Sequence, residues 1–236
     1  MVNYLGHTVF RFCLEQLRKK ATSKSRNCLV VGFCGWLEYM VLSILVQKVN
    51  FMYYTEFAKY GRMLWDSGLI HITSGNLSIR KGTTIYVTRT GSRLGDLSSS
   101  DIIAVNLNNT LRDKIASSET PVHREIYLAH PDVASVVHAH PPHATALSWD
   151  YTTIQPIDSD SLYIPEIPVL TDCPYGEGSA CVAKHFPELL GKHTVALIRG
   201  HGAFSVGTTL EQATARLSMM ENQCRLIYMR KLLEHK

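Results

Sequence analysis

The clearest periodicity in the chain lies near its C-terminal end. Leu210, Ala213, Leu217, Met220, Cys224 and Ile227 recur at alternating steps of three and four, the spacing of one apolar helix face. Thr208-Thr209-Leu210-Glu211 just ahead of them has the form of a capping box and marks the helix start. A second helical spacing, through Phe57, Tyr60, Gly61 and Leu64, predicts a helix over residues 53–67. Gly68 is its expected C-cap, because glycine adopts the left-handed backbone at little cost. Between these helices the period drops to two. Residues 77–79, 84–88 and 102–105 read as strands, with a hairpin turn at Lys81-Gly82. A helix is expected over 119–130, with Val122, Ile126 and Ala129 on one face, and further strands over 133–140, 167–170, 195–198 and 204–206. Strands in the middle and helices at both ends predict an α/β class: a single layered domain, its central and mostly antiparallel sheet flanked by helices, over residues 52–236.

Residues 1–51 stand apart as an N-terminal extension. Residues 28–47 are mostly apolar, long enough to span a bilayer, and follow a basic stretch from Arg18 to Arg26. Glu38 near the centre argues against a membrane anchor, since a central acid costs about 2.5–3.5 kcal/mol on insertion scales. The apolar run also starts too late for a cleaved signal peptide. The expectation is an extra helix packed on the domain or on a neighbouring subunit, or an upstream extension with Met52 as the true start.

Composition narrows the class. The chain is 45% apolar and 19% charged, which excludes a disordered tail, a collagen and a coiled coil. A net charge of +4 without a block of like charges gives no support to a nucleic-acid partner. Six cysteines in no regular framework read as small apolar thiols in a reducing, cytoplasmic setting, and not as zinc ligands.

The candidate chemistry begins at His138-Ala139-His140. On a strand, residues two apart share a face, so both imidazoles can reach one zinc ion. Gly200-His201-Gly202 supplies the third ligand, since a glycine on each side permits a tight turn that holds His201 in place. His143 and His130 are the spare ligand candidates, read first as structural. Ser117-Ser118-Glu119 opens the helix over 119–130: Ser118 is the expected cap, the free N–H groups and hydroxyls form an anion site, and Glu119 is placed to move a proton. Two polar, glycine-containing loops, Thr73 to Asn76 and Thr88 to Ser92, can join the serines in cradling a small-molecule phosphate.

Five motifs in this order, Ser74-Gly75-Asn76-Leu77-Ser78, Thr88-Arg89-Thr90-Gly91, Ser117-Ser118-Glu119, His138-Ala139-His140 and Gly200-His201-Gly202, resemble the zinc-dependent class II aldolase/adducin family over residues 52–232. The resemblance implies Zn2+ on His138, His140 and His201, with Glu119 as acid/base. It implies a phosphate site of Gly75, Asn76, Thr90, Gly91, Ser117 and Ser118, and a homotetramer with active sites between subunits. The activity it implies is cleavage or formation of a C–C bond in a small phosphorylated ketose, giving dihydroxyacetone phosphate and a small aldehyde. Epimerase, dehydratase or decarboxylase chemistry on the same metal, and a non-catalytic adducin-like module, are the alternatives. Members acting on fuculose 1-phosphate carry a tyrosine after the H-x-H strand where this chain has Ser159, and a second tyrosine in a C-terminal tail that this chain does not match.

Overall fold

A computed structural model describes residues 53–111, 113–173 and 178–234. The expectations for residues 28–47 and for the boundary at 51–52 lie outside these residues.

Helix α1 covers residues 53–66 and turns Phe57 and Leu64 fully inward. It ends as expected at Gly68, whose φ is +68°, while the Leu69 N–H reaches back to the Leu64 carbonyl at 3.0 Å and closes the last turn. The chain then forms β1 (Asn76–Lys81) and β2 (Thr84–Thr88), joined through Gly82 at φ +58°, the hairpin that the Lys81-Gly82 pair foreshadows. Strand β3 (Ile102–Asn106) pairs with β2. Helix α2 (Thr120–Ala129) and β4 (Ser135–Ala139) follow, then the short helix α3 (Pro142–Leu147) and β5 (Thr153–Ile154). Strand β6 (Ile167–Leu170), helix α4 (Gly178–Lys192), β7 (Val195–Ile198), β8 (Gly202–Gly207) and helix α5 (Leu210–Glu234) complete the domain.

The eight strands make one sheet in the order β3-β2-β1-β4-β8-β7-β6-β5. Every neighbouring pair is antiparallel except β6 and β7, which are linked through α4, as a parallel pair requires a crossover connection. The expected class holds. The two faces of the sheet bury different sets of side chains, as a period of two dictates. Leu77, Ile79, Val137 and Ala139 pack on the side of α1 and α5; Val136, Phe204 and Val206 pack on the side of α2 and α4. All six apolar positions of the α5 stripe are buried.

Three local expectations are corrected. The α5 cap lies one residue later than the motif suggested: the Gln212 N–H donates to Thr209 Oγ1 at 3.1 Å, and the Gln212 side-chain carbonyl accepts from the Thr208 N–H at 2.9 Å. Gln212 serves as well as an acid, because the cap needs only a side-chain oxygen in that place. Helices α3 and α4 interrupt the stretch read as strands and loops; Pro187 and Gly191 inside α4 mask its apolar face of Val182, Phe186 and Leu190. The reading of all cysteines as free thiols also fails. Cys173 and Cys181 are disulfide-bonded, with their Cα atoms 5.6 Å apart and His185 beside them. Cys224 is free and buried. No helix among the described residues is long and apolar enough to cross a membrane.

Candidate metal centre and phosphate cradle

Strand β4 sits between β1 and β8, so His138 lies directly beside Asn76 on one neighbour and Phe204 on the other. Its ring stacks on Phe204 with centroids 4.3 Å apart, and its Nδ1–H donates to the Ala203 carbonyl at 2.9 Å. That bond fixes the tautomer and leaves the Nε2 lone pair facing outward from the strand. His140 is the first residue beyond β4, held by a backbone bond from its N–H to the Leu69 carbonyl at 2.9 Å. His201 rides the three-residue loop between β7 and β8. Gly200 takes φ +66° there, and its N–H donates to the Ser148 hydroxyl at 2.8 Å.

The ligand atoms of His138, His140 and His201 all lie within 4.8 Å of one another. His138 Nε2 and His140 Nε2 are 3.0 Å apart. Burial, reinforced by the neighbouring imidazoles, pushes both His138 and His140 down to about 3, so both are neutral at pH 7. At that separation the two neutral rings can share one hydrogen bond or, with both Nε2 lone pairs free, hold a cation between them. Tetrahedral zinc with nitrogen ligands at about 2.0–2.1 Å spaces them about 3.3 Å apart, close to what the two rings show. The donor set therefore fits a divalent metal.

Gly202 explains the second glycine of the motif. Its φ is not in the left-handed region; a Cβ there would meet the Ala139 carbonyl oxygen at 2.5 Å, His140 Cδ2 at 3.0 Å and His138 Cε1 at 3.2 Å. Gly202→Ala is accordingly expected to lower stability by about 1–3 kcal/mol, the usual range for forcing volume into a packed site. It should weaken metal retention at the same time, measured by thermal melting and metal content on one sample.

Glu119 stands at the N-cap of α2, yet its carboxylate does not cap the helix. It turns into the pocket, where Oε2 accepts from Asn76 Nδ2 at 2.7 Å and lies 3.2 Å from His138 Nε2. Burial raises the Glu119 pKa, against the lowering effect of the Asn76 N–H and of His201. The cap expected of Ser118 is absent. Ser117 serves the first turn instead: its carbonyl accepts from the Thr120 N–H at 2.9 Å and its hydroxyl from the Glu119 N–H at 3.3 Å, which leaves Ser118 exposed.

These groups border one open cavity of about 460 Å³. All ten residues expected from the sequence line it: Gly75, Asn76, Thr90, Gly91, Ser117, Ser118, Glu119, His138, His140 and His201. The loop after β2 and the segment before α2 are tied together by the Ser117 N–H donating to the Thr88 carbonyl at 2.9 Å. Gly91 at φ +72° and Gly75 at φ +79° shape the other turns, and a Cβ on Gly75 would meet the His138 carbonyl oxygen at 2.8 Å. Asn76 is more committed than a phosphate ligand alone would be: its carbonyl faces His123 and its amide faces Glu119.

Other residues enter without having been singled out. Arg89 and Ser179 line the cavity, and the His71 ring meets His140 edge-on with centroids 5.4 Å apart. Arg89 stood inside a quoted motif; His71 and Ser179 had no spacing to announce them. Ser159 is exposed at the start of a 3-10 turn and does not line the cavity, nor does any tyrosine among the described residues. His143 and His130 do not line the cavity. His143 Nδ1 donates to Glu221 at 2.7 Å, and His130 Nε2 to the Pro187 carbonyl at 2.6 Å.

Three imidazoles, an adjacent carboxylate and an anion-ready helix start, gathered from strand and loop residues at one end of a mixed sheet, make a candidate metal-assisted site. Comparison with known proteins identifies the family. The class II aldolase and adducin N-terminal domain matches residues 55–228, and the chain belongs to that family as an enzyme of the class II aldolase type. A Methanococcus vannielii protein named L-fuculose phosphate aldolase is 29% identical over 72% of this chain and 93% of its own. The L-fuculose-1-phosphate aldolase of Thermus thermophilus superposes with a TM-score of 0.73 at 32% identity, over 77% of this chain and 95% of that one. A Nocardia farcinica protein, named a probable bifunctional methylthioribose-1-phosphate isomerase/methylthioribulose-1-phosphate dehydratase, is 32% identical over 72% of this chain but only 34% of its own length.

Proposed function

We propose that this protein is a zinc-dependent aldolase that cleaves, or in reverse forms, a C–C bond in a small ketose 1-phosphate of the fuculose 1-phosphate kind. The products are dihydroxyacetone phosphate and a small aldehyde. The observation that carries this reading is the meeting of Glu119 with His138, His140 and His201 in the cavity that also holds the serine and glycine loops.

His138, His140 and His201 would hold the metal, which when bound supplies Lewis acidity toward the negative charge that C–C cleavage leaves on the substrate oxygens. The chain's own groups do the rest. The N–H groups and hydroxyls of Ser117 and Ser118, with Thr90, Gly91, Gly75 and the second amide hydrogen of Asn76, bind the phosphate dianion, and Arg89 adds a cation at the rim. That anchor fixes the distance from the phosphate to the reacting carbon and brings the latter to Glu119. Glu119 then moves the proton at the carbon that becomes, or has been, the nucleophile. Burial favours the protonated form of its carboxyl and the Asn76 N–H favours the anion, so both forms are accessible during a cycle.

Ser118→Ala is expected to weaken phosphorylated ligands by about tenfold, the value of one hydrogen bond to a charged group, and to leave unphosphorylated carbonyl compounds unaffected. Inhibition constants for matched pairs of ligands check it.

The proposal includes a homotetramer whose neighbouring copies complete the cavity, and a cytoplasmic setting, where phosphorylated sugars are metabolised. Supporting the first, the cavity is open to solvent, and no tyrosine among the described residues lines it. One specific observation favours a second reading, dehydration of a phosphorylated methylthio-pentulose: the relative named as a methylthioribulose-phosphate dehydratase matches this chain about as closely as the aldolase does. Product analysis separates the two. A panel of ketose 1-phosphates incubated with the metal-loaded protein and followed by phosphorus NMR gives dihydroxyacetone phosphate under the first reading. Under the second it gives a dehydrated product of unchanged carbon number.

A further inference from the structure

Strand β1 presents Asn76, Ser78 and Arg80 on the face that looks toward α2, with Leu77 and Ile79 on the other. From its N-cap, α2 presents Glu119, His123 and Tyr127 at steps of four. Two strand residues advance about 6.6 Å and four helix residues about 6 Å, so the two rows stay in step. They mesh as a ladder. Asn76 touches Glu119 and His123, Ser78 touches His123 and Tyr127, and Arg80 donates to the Tyr127 carbonyl at 3.1 Å.

Donor and acceptor chemistry gives the ladder a single direction. An ionised Glu119 only accepts, so the Asn76 NH2 group faces it at 2.7 Å and the Asn76 carbonyl faces the other way. That carbonyl also only accepts, so the proton of His123 is on Nε2, 2.5 Å away. His123 Nδ1 is then the acceptor, and the Ser78 hydroxyl donates to it at 2.6 Å. The Ser78 oxygen in turn accepts from the Tyr127 hydroxyl at 2.7 Å. His123, Ser78 and Tyr127 are all sealed from solvent, and burial pushes His123 down to about 3, which keeps its ring neutral.

We propose that His123 is a positioning residue: held in its Nε2–H tautomer by Ser78 and Tyr127, it locks the Asn76 amide in the one orientation that aims a hydrogen bond at Glu119. Without the ring, the amide is free to turn its carbonyl toward the carboxylate, and Glu119 loses its fixed place. The kinetic part of this rests on the acid/base reading of Glu119; the tautomer does not.

The test has two arms on the full chain. In metal-free, ring-15N-labelled protein, the His123 resonance, identified by its loss in His123→Gln, is expected to show the proton on Nε2 alone. In steady-state kinetics, His123→Leu is expected to lose about 10–100-fold in kcat, the usual cost of removing such a supporting partner, with a smaller rise in KM from the Asn76 N–H that also meets the phosphate, and with the metal content per chain unaltered. His123→Gln keeps a side-chain N–H within reach of Asn76 and restores most of the rate, and Ser78→Ala gives a smaller loss of the same kind. If His123→Leu fails to fold, Ser78→Ala and the tautomer carry the decision. A proton on Nδ1 overturns the proposal. So does loss of rate that tracks loss of metal, or a rate that glutamine does not rescue. Should the parent protein cleave no ketose phosphate, the functional reading fails while the tautomer still decides this one.

Discussion

Glu119→Gln binds metal as the parent does and loses turnover by about 10²–10⁴-fold, the range that a positioned general acid or base contributes. Glutamine is nearly isosteric, so the site around it stays packed. Its oxygen can still accept from Asn76, as the carboxylate does at 2.7 Å. What disappears is the ability to take up and release a proton. Because the three histidines are untouched, metal content by elemental analysis should match the parent within error. A variant that loses metal along with turnover would mean that Glu119 is needed to hold the ion. A variant with near-normal rate would remove it from proton transfer altogether.

His201→Ala has the complementary outcome. His138 and His140 come from one strand end and approach from one side, while His201 reaches the same point from the β7–β8 loop. Removing it leaves two ligands and an open edge, too few to retain a divalent ion against dialysis. Metal content is expected to fall from about one ion per chain to near zero, with turnover at background. The fold should survive, since the His201 ring is only half-buried. Its loop is pinned independently, through the Gly200 N–H on Ser148 and the bonds of Arg199 to the Ser148 and Tyr151 carbonyls. Circular dichroism and metal analysis on the same preparation separate loss of ion from loss of structure. Retention of metal would end the three-histidine assignment.

The sequence carried most of the fold and nearly all of the cavity wall, for identifiable reasons. The α5 stripe and the β1–β2 hairpin are local: period, cap and turn residue lie within a few positions of one another. The meeting of the three histidines was legible because two of them share a strand face and the third is bracketed by glycines, each needed for a different purpose. Gly200 takes a left-handed backbone, and Gly202 leaves room for the carbonyl of Ala139. What was not legible depends on contacts distant in sequence. Helix α4 hides behind Pro187 and Gly191, and its apolar side makes sense only against Phe204 and Val206 across the sheet. Cys173, beyond the end of β6, pairs with Cys181 inside α4, and a spacing of eight residues does not announce that pairing. The polar row of Asn76, Ser78 and Arg80 makes sense only against the facing row of Glu119, His123 and Tyr127.

The central claim is that one metal, on His138, His140 and His201, works with Glu119 to break a C–C bond in a ketose phosphate. The most direct measurement is the initial rate of dihydroxyacetone phosphate release from a panel of ketose 1-phosphates, by coupled assay, on the same protein as loaded, chelated and zinc-restored. The account predicts release from at least one member, abolition by chelator and recovery with zinc. Release that is indifferent to the chelator would contradict the metal's part. Turnover of a substrate by the zinc-restored protein without any triose phosphate would contradict the cleavage itself.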